Sequence, residues 1–213
     1  MKKDDFLVIV ICMNSLSYIF CNFFILFKKD LFNGFTFDIS NFLFPFLYIS
    51  TDLIQEIYGY KKSRLTAQIT IASQIIFALF CLFSIKYFNI TWLDKESNQI
   101  IKENILGSIA SIITVASIIS YYLGGLTNNL IFAKLNNMKD SFIDYSKRAF
   151  ISSILQKLVD SFIFNLILIT LPNSNFTLKL VLIPIILELL IEFIFLPINH
   201  RIVMKIKNIL KKA

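Results

Sequence analysis

Six long apolar runs alternate with short polar connections along the 213 residues of the chain. Read with a window of about 19 residues, they fall at Phe6 to Phe27, Phe37 to Ile57, Leu65 to Phe88, Asn104 to Leu123, Ala149 to Leu171 and Leu180 to Ile198. Each run is long enough for a membrane-spanning helix. The pattern therefore predicts an all-α integral membrane protein, a compact six-transmembrane-helix bundle forming a single transmembrane domain over residues 1–213. The longest connections, near Asn89 to Glu103 and Lys134 to Lys147, are about 15 residues each and leave no room for a soluble domain. Trp92 to Glu103 has mixed charge and predicts a short amphipathic piece at the outer surface, with Trp92 at the interface. Pro45 and Pro184 fall inside runs and predict kinks or local opening. Asn33, Gly34 and Asp38 predict a shallow start to the second helix.

Composition agrees with the pattern: 56% of residues are hydrophobic and 16% charged, with a mean hydropathy of +0.71 that excludes an ordinary soluble domain. MKKDDF precedes the first run, but no small-x-small cleavage site follows it, which predicts a retained helix and not a signal peptide. Cys12, Cys21 and Cys81 show no metal or redox spacing and read as packing or lipid-facing residues. Fourteen Lys and Arg residues, among them Lys2, Lys61, Arg64, Lys147, Arg148 and Lys207, fall on one side of the runs, against six on the other. That asymmetry predicts cytoplasmic N- and C-termini. The formal charge of +7 then follows from topology and attraction to anionic lipid, and no nucleic-acid partner is indicated.

Apart from Asp38 and Lys86 at run ends, six charged residues lie inside the runs: Asp52 and Glu56, Lys157 and Asp160, Glu188 and Glu192. Each pair is spaced three or four residues apart, so each lies on one helical face. A charge in hydrocarbon costs several kcal/mol unless it meets a partner, water or a ligand, so these stripes are expected to point inward toward one another. One reading makes them self-satisfying: Lys157 pairs with Asp160 on its own helix, while Glu56 and Glu192 snorkel to the headgroups. The other makes them the wall of an acid-lined cavity for a hydrogen-bond-rich or cationic small solute, or a proton relay. Gln55, Gln74 and Asn128 add polar groups to the second reading. Gly124 and Gly125 are either a packing notch or a hinge. Tyr58 and Tyr60 are either interfacial belt residues or a stacking platform. The lone His200 reads as a surface residue, and metal ligation is not expected. No serine elbow, HExxH or phosphate loop is present, so the chain does not read as an enzyme and no cofactor is expected.

The stretch FPFLYISTDLIQEIYGYKKSR, Phe44 to Arg64, resembles the signature FPLTYxxTDxxxEVYGxxxAR of the queuosine precursor transporter family, also called the vitamin uptake transporter family; Phe44, Pro45, Tyr48, Thr51, Asp52, Glu56, Tyr58, Gly59 and Arg64 match. Three later blocks resemble the same family in order: GGLTNNLIFAKL at Gly124, Asn128 and Lys134, RAFISSILQKLVDSFIF at Arg148, Ser152, Asp160 and Phe164, and ELLIEFIFLPINHRI at Glu192 and Pro197. Lys157 stands where the family tends to carry Gln, Gly125 where it often has an acid, and Glu188 where a Lys is expected. If Lys157 and Glu188 face each other, one charge pair has been kept with its partners exchanged.

The resemblance implies a bundle similar to vitamin-binding substrate subunits, importing a 7-deazaguanine precursor of queuosine across a bacterial inner membrane. The base would be the nitrile form, the aminomethyl form or queuine. The expected substrate-binding residues are Asp52, Glu56, Asn128, Lys157, Asp160, Glu188 and Glu192, with Tyr48 and Tyr58 as stacking candidates. Carboxylates accept in pairs from the adjacent N–H groups of a guanine-like edge. ATP-driven transport would need separate energising subunits, which nothing in the residues indicates. Two alternatives stand beside this reading: a substrate-binding subunit of a vitamin-type energy-coupled importer, and a non-transporting membrane assembly factor.

Overall fold

The computed structural model describes residues 3–24, 28–30, 36–38, 40–87, 94–106, 112–135, 141–169 and 178–212. Six long helices account for most of them: α1 (Lys3–Phe24), α2 (Ser40–Tyr58), α3 (Tyr60–Tyr87), α5 (Ile112–Lys134), α6 (Phe142–Ile169) and α7 (Leu178–Lys212). A short α4 (Lys95–Ile100) runs into a π-helical turn, Ile101–Leu106. Between α1 and α2, β1 (Lys28–Asp30) and β2 (Thr36–Asp38) pair antiparallel, with Lys29 opposite Phe37. Phe37, expected to open the second helix, is thus a strand residue, and α2 begins at Ser40. Asn33, Gly34 and Trp92 lie outside the described residues.

The described residues of the apolar runs are helical apart from the strand residues at 37–38, but several boundaries moved. The fourth long helix covers 112–134 where 104–123 was expected, the fifth starts at Phe142 and the sixth continues to Lys212. A hydropathy window averages all faces of a helix, whereas helix ends are set by caps and packing. Ser141 provides the cap for α6: its Oγ accepts from the Asp144 N–H at 3.1 Å and donates to the Asp144 carboxylate at 2.7 Å. At the elbow between α2 and α3, Gly59 adopts φ 84°, a left-handed conformation that costs glycine little. Its N–H closes on Gln55 O at 2.9 Å, and its carbonyl accepts from the Ser63 N–H at 3.2 Å. Both helices continue through their prolines, Pro45 in α2 and Pro184 and Pro197 in α7. Asp94 caps α4, and hydrogen bonds from the Ser97 hydroxyl and N–H hold its carboxyl below the ordinary aspartate range.

The long helices close a ring in the order α1, α2, α7, α6, α5, α3 and back to α1, with α5 against α6 the most extensive pairing. The polarity of the ring is inverted relative to a soluble protein. Ile76, Phe162 and Ile194 are each about two-thirds exposed on the outside, while Asp52, Gln74, Asn128, Arg148 and Lys157 are buried. A surface of this kind suits lipid. Among the described residues three helical segments are long and apolar enough to cross a membrane: Asp5–Phe24, Tyr60–Tyr87 and Phe142–Ile169.

One polar knot ties α1 into the ring. The Asn14 amide nitrogen donates to Leu47 O at 3.1 Å and to Ser50 Oγ at 2.5 Å, and its oxygen accepts from Thr70 at 2.7 Å and Tyr121 at 3.3 Å. Beside it the Tyr18 and Tyr121 rings stack with centroids 4.5 Å apart.

Candidate functional site

The buried face of α6 carries Tyr145, Arg148, Ala149, Ser152, Ser153, Gln156 and Lys157, and the alternating three- and one-residue steps make this a single stripe along the helix. Asp160 extends it by one more position. Opposite, α2 offers Tyr48, Asp52 and Glu56, again one turn apart, and α7 offers Glu188 and Glu192. Both expected i,i+4 pairs of acids therefore face the stripe on α6.

The connections run between helices and not along them. Lys157 Nζ lies 3.2 Å from Glu192 and 3.4 Å from Glu188 on α7, and 4.0 Å from the centroid of the Tyr48 ring on α2. The self-satisfying Lys157–Asp160 pair is thereby replaced by an interhelical one, and Lys157 and Glu188 do face each other. Asp160 instead accepts from the Tyr48 hydroxyl at 2.6 Å. Asp52, only 1% exposed, accepts from the Asn128 amide at 2.7 Å. Glu192 accepts from the Ser153 hydroxyl, so it is a buried link and not a snorkelling residue. The notch that permits this closeness is Gly124: a Cβ there would lie 3.0 Å from Asp160 Cβ and 3.1 Å from Gln156 O. Gly124 sits within continuous α5, which is a packing role and not a break in the helix.

Glu56 has a different environment from Asp52. Its two carboxylate oxygens each lie 3.1 Å from Arg148 Nη2, and Lys207 Nζ lies 2.7 Å from Oε1. Three helices, α2, α6 and α7, are tied together here. Lys207 reads in the sequence only as a topological charge, and Arg148 as that and as a residue of the family resemblance, with no site role; yet Arg148 is fully buried, with its guanidinium 5.7 Å from the Phe132 ring. The signal that would have found it is the α6 stripe itself, which starts below Ser152 and passes through Arg148. Tyr58 is not brought to the cluster; it stacks against Phe6 at 6.5 Å on the α1 side. His200 is half-buried, edge-on to Phe142 at 5.3 Å, and not a free surface residue.

Five carboxylates thus meet three cations, Arg148, Lys157 and Lys207. Asp52 and Asp160 have only neutral hydrogen-bond partners among these contacts. The same region holds buried acceptors with no donor: Asn128 Oδ1, Gln156 Oε1 and Gln55 Oε1. The Asn128 orientation follows from chemistry, because only its NH2 can donate to a carboxylate. Buried polar atoms are ordinarily paired, yet among the described residues these three acceptors stand open, as does a neighbouring donor, Asn129 Nδ2.

A helical ring with a lipid-compatible exterior and a charged, incompletely paired interior is the construction of a membrane transporter. The family described as "Putative vitamin uptake transporter" matches residues 38–202. The chain belongs to that family. No curated protein matches the chain, and no solved structure does.

Proposed function

We propose that the chain is a single six-span domain of a bacterial inner membrane, with both termini in the cytoplasm, that imports a 7-deazaguanine precursor of queuosine. The observation that carries the reading is that Asp52 and Asp160 have only neutral hydrogen-bond partners and lie beside the open acceptors Asn128 Oδ1 and Gln156 Oε1. A guanine-like edge supplies adjacent N–H groups, and an aminomethyl substituent adds a cation; either would pair with the carboxylates and with Asn128 Oδ1 and Gln156 Oε1. Tyr48 is the stacking surface in this arrangement. Lys157, Glu188 and Glu192 form the facing wall. Glu56 serves as the floor, because Arg148 and Lys207 already occupy its carboxylate.

The six-span, N-in topology rests on the clustering of Lys61, Lys62 and Arg64 at the α2/α3 elbow, Lys134 to Arg148 between α5 and α6, and the basic end of α7. An energy-coupled substrate-binding subunit would need a small-residue docking face, for which GGLTNN is a faint candidate, and Gly124 within it is packed against α6. The test is uptake of labelled base into cells that lack other importers. Asp52→Ala and Asp160→Ala proteins, present in the membrane at normal level, should lose uptake by at least tenfold; full uptake by both would leave an assembly role in its place.

A further inference from the structure

Gln74 has no part in the charged cluster. It lies in the middle of α3, is fully buried, and among the described residues neither its amide nitrogen nor its amide oxygen has a partner. Thr70, one turn earlier on the same face, is bonded to Asn14, so the next polar position along the helix is left open where its neighbour is closed. α3 presents Ala67 and Ile71 to the cluster of Tyr18, Tyr48 and Tyr121. Gln74 is seven residues beyond Ala67 and three beyond Ile71, which keeps it on that face. On α1, Asn22 lies one turn beyond Tyr18. It is also buried, its nitrogen donates to Tyr18 O at 3.1 Å, and its oxygen is unpaired.

A carboxamide buried without a partner bears the desolvation cost of a donor and an acceptor together. It also presents the two side by side in one plane. That geometry matches a neighbouring acceptor and donor on a planar ring, as when glutamine reads a base edge in two bonds. Tyr48 links the two regions: its ring packs with Tyr18 and Tyr121, and its hydroxyl reaches Asp160.

We propose that Gln74 and Asn22, beside the stacked Tyr18 and Tyr121 rings, form a neutral subsite that reads the lactam edge of a planar heterocycle, carbonyl and ring N–H, while the charged cluster holds its exocyclic amino groups. The proposal rests on the transport reading above and adds the residue that sets specificity. Gln74 becomes the discriminating side chain, and Asp52 a general holder of donors.

The experiment measures binding to purified protein of two probes, 7-deazaguanine and its analogue lacking the ring carbonyl, 2-amino-7-deazapurine. Wild type should prefer the first by at least tenfold, as expected where a buried polar group loses its partner. Gln74→Met should abolish that preference while its melting temperature stays level or rises, because an unpaired amide has been replaced by an apolar side chain of similar shape. Gln74→Leu should do the same. Asp52→Asn should weaken both probes and keep the preference. An unchanged preference in folded Gln74→Met and Gln74→Leu overturns the subsite alone. Failure of wild type to bind either probe overturns both the subsite and the transport reading.

Discussion

The knot at Asn14 and the cluster around Lys157 are both buried and both polar, yet they are built on opposite terms. Asn14 has its amide saturated: two bonds given, two received, all to neutral groups on α2, α3 and α5. The cluster on α2, α5, α6 and α7 is charged, holds more acids than cations and leaves acceptors open. A saturated network fixes one packing arrangement; an unsaturated one at equal depth is costly unless something else completes it. The difference separates the part of the interior that holds the helices together from the part proposed above to receive the substrate.

The hardest strike against that division is Lys157→Met. It strands Glu188 and Glu192 without their cation, and loss of one partner of a buried pair costs about 3–5 kcal/mol. Thermal unfolding in detergent should register most of it, and uptake should vanish. The exchange Lys157→Glu with Glu188→Lys restores a cation to the wall beside Glu192, so the double variant should retain more uptake than either single change; equal loss in all three would contradict the pairing at 3.4 Å.

Asn14→Leu tests the other side. It removes the acceptor to which the Thr70 and Tyr121 hydroxyls donate, while Leu47 O keeps Ser50 and Thr51, and a loss of about 2 kcal/mol is expected. Uptake per folded molecule should stay near wild type. Loss of uptake with the melting temperature intact would erase the distinction between the two regions. Gly124→Ala is expected to cost about 1–3 kcal/mol through overpacking, since the new methyl meets Asp160 Cβ at 3.0 Å. Ser141→Ala should be mildest, about 1 kcal/mol from the lost α6 cap, with uptake unaffected.

These particular residues also mark how far the sequence could be read. The helices and the stripes of acids followed from spacing, because helical periodicity is local. The α5 boundary did not: Asn128 and Asn129 lower the local hydropathy although they lie inside the helix, on its buried face. Lys157 was visible as an oddity, but its choice of α7 over Asp160 depends on which helices are neighbours in the ring. Arg148 and Lys207 look like any basic residues near a membrane surface until Glu56 is placed between them. Asn14 gave no signal at all, since one asparagine in an apolar run is legible only through the four groups it meets.

Lys157 also bears on how the chain is made. Translocon measurements put a lysine at the centre of a lone inserted helix at about 2.5–3.5 kcal/mol, and α6 on its own carries both that ammonium and Asp160. Glu188 and Glu192 arrive only with α7. Under the six-span reading, α6 is apolar enough to cross on its own, but its ammonium meets its carboxylate partners only once α7 has entered beside it.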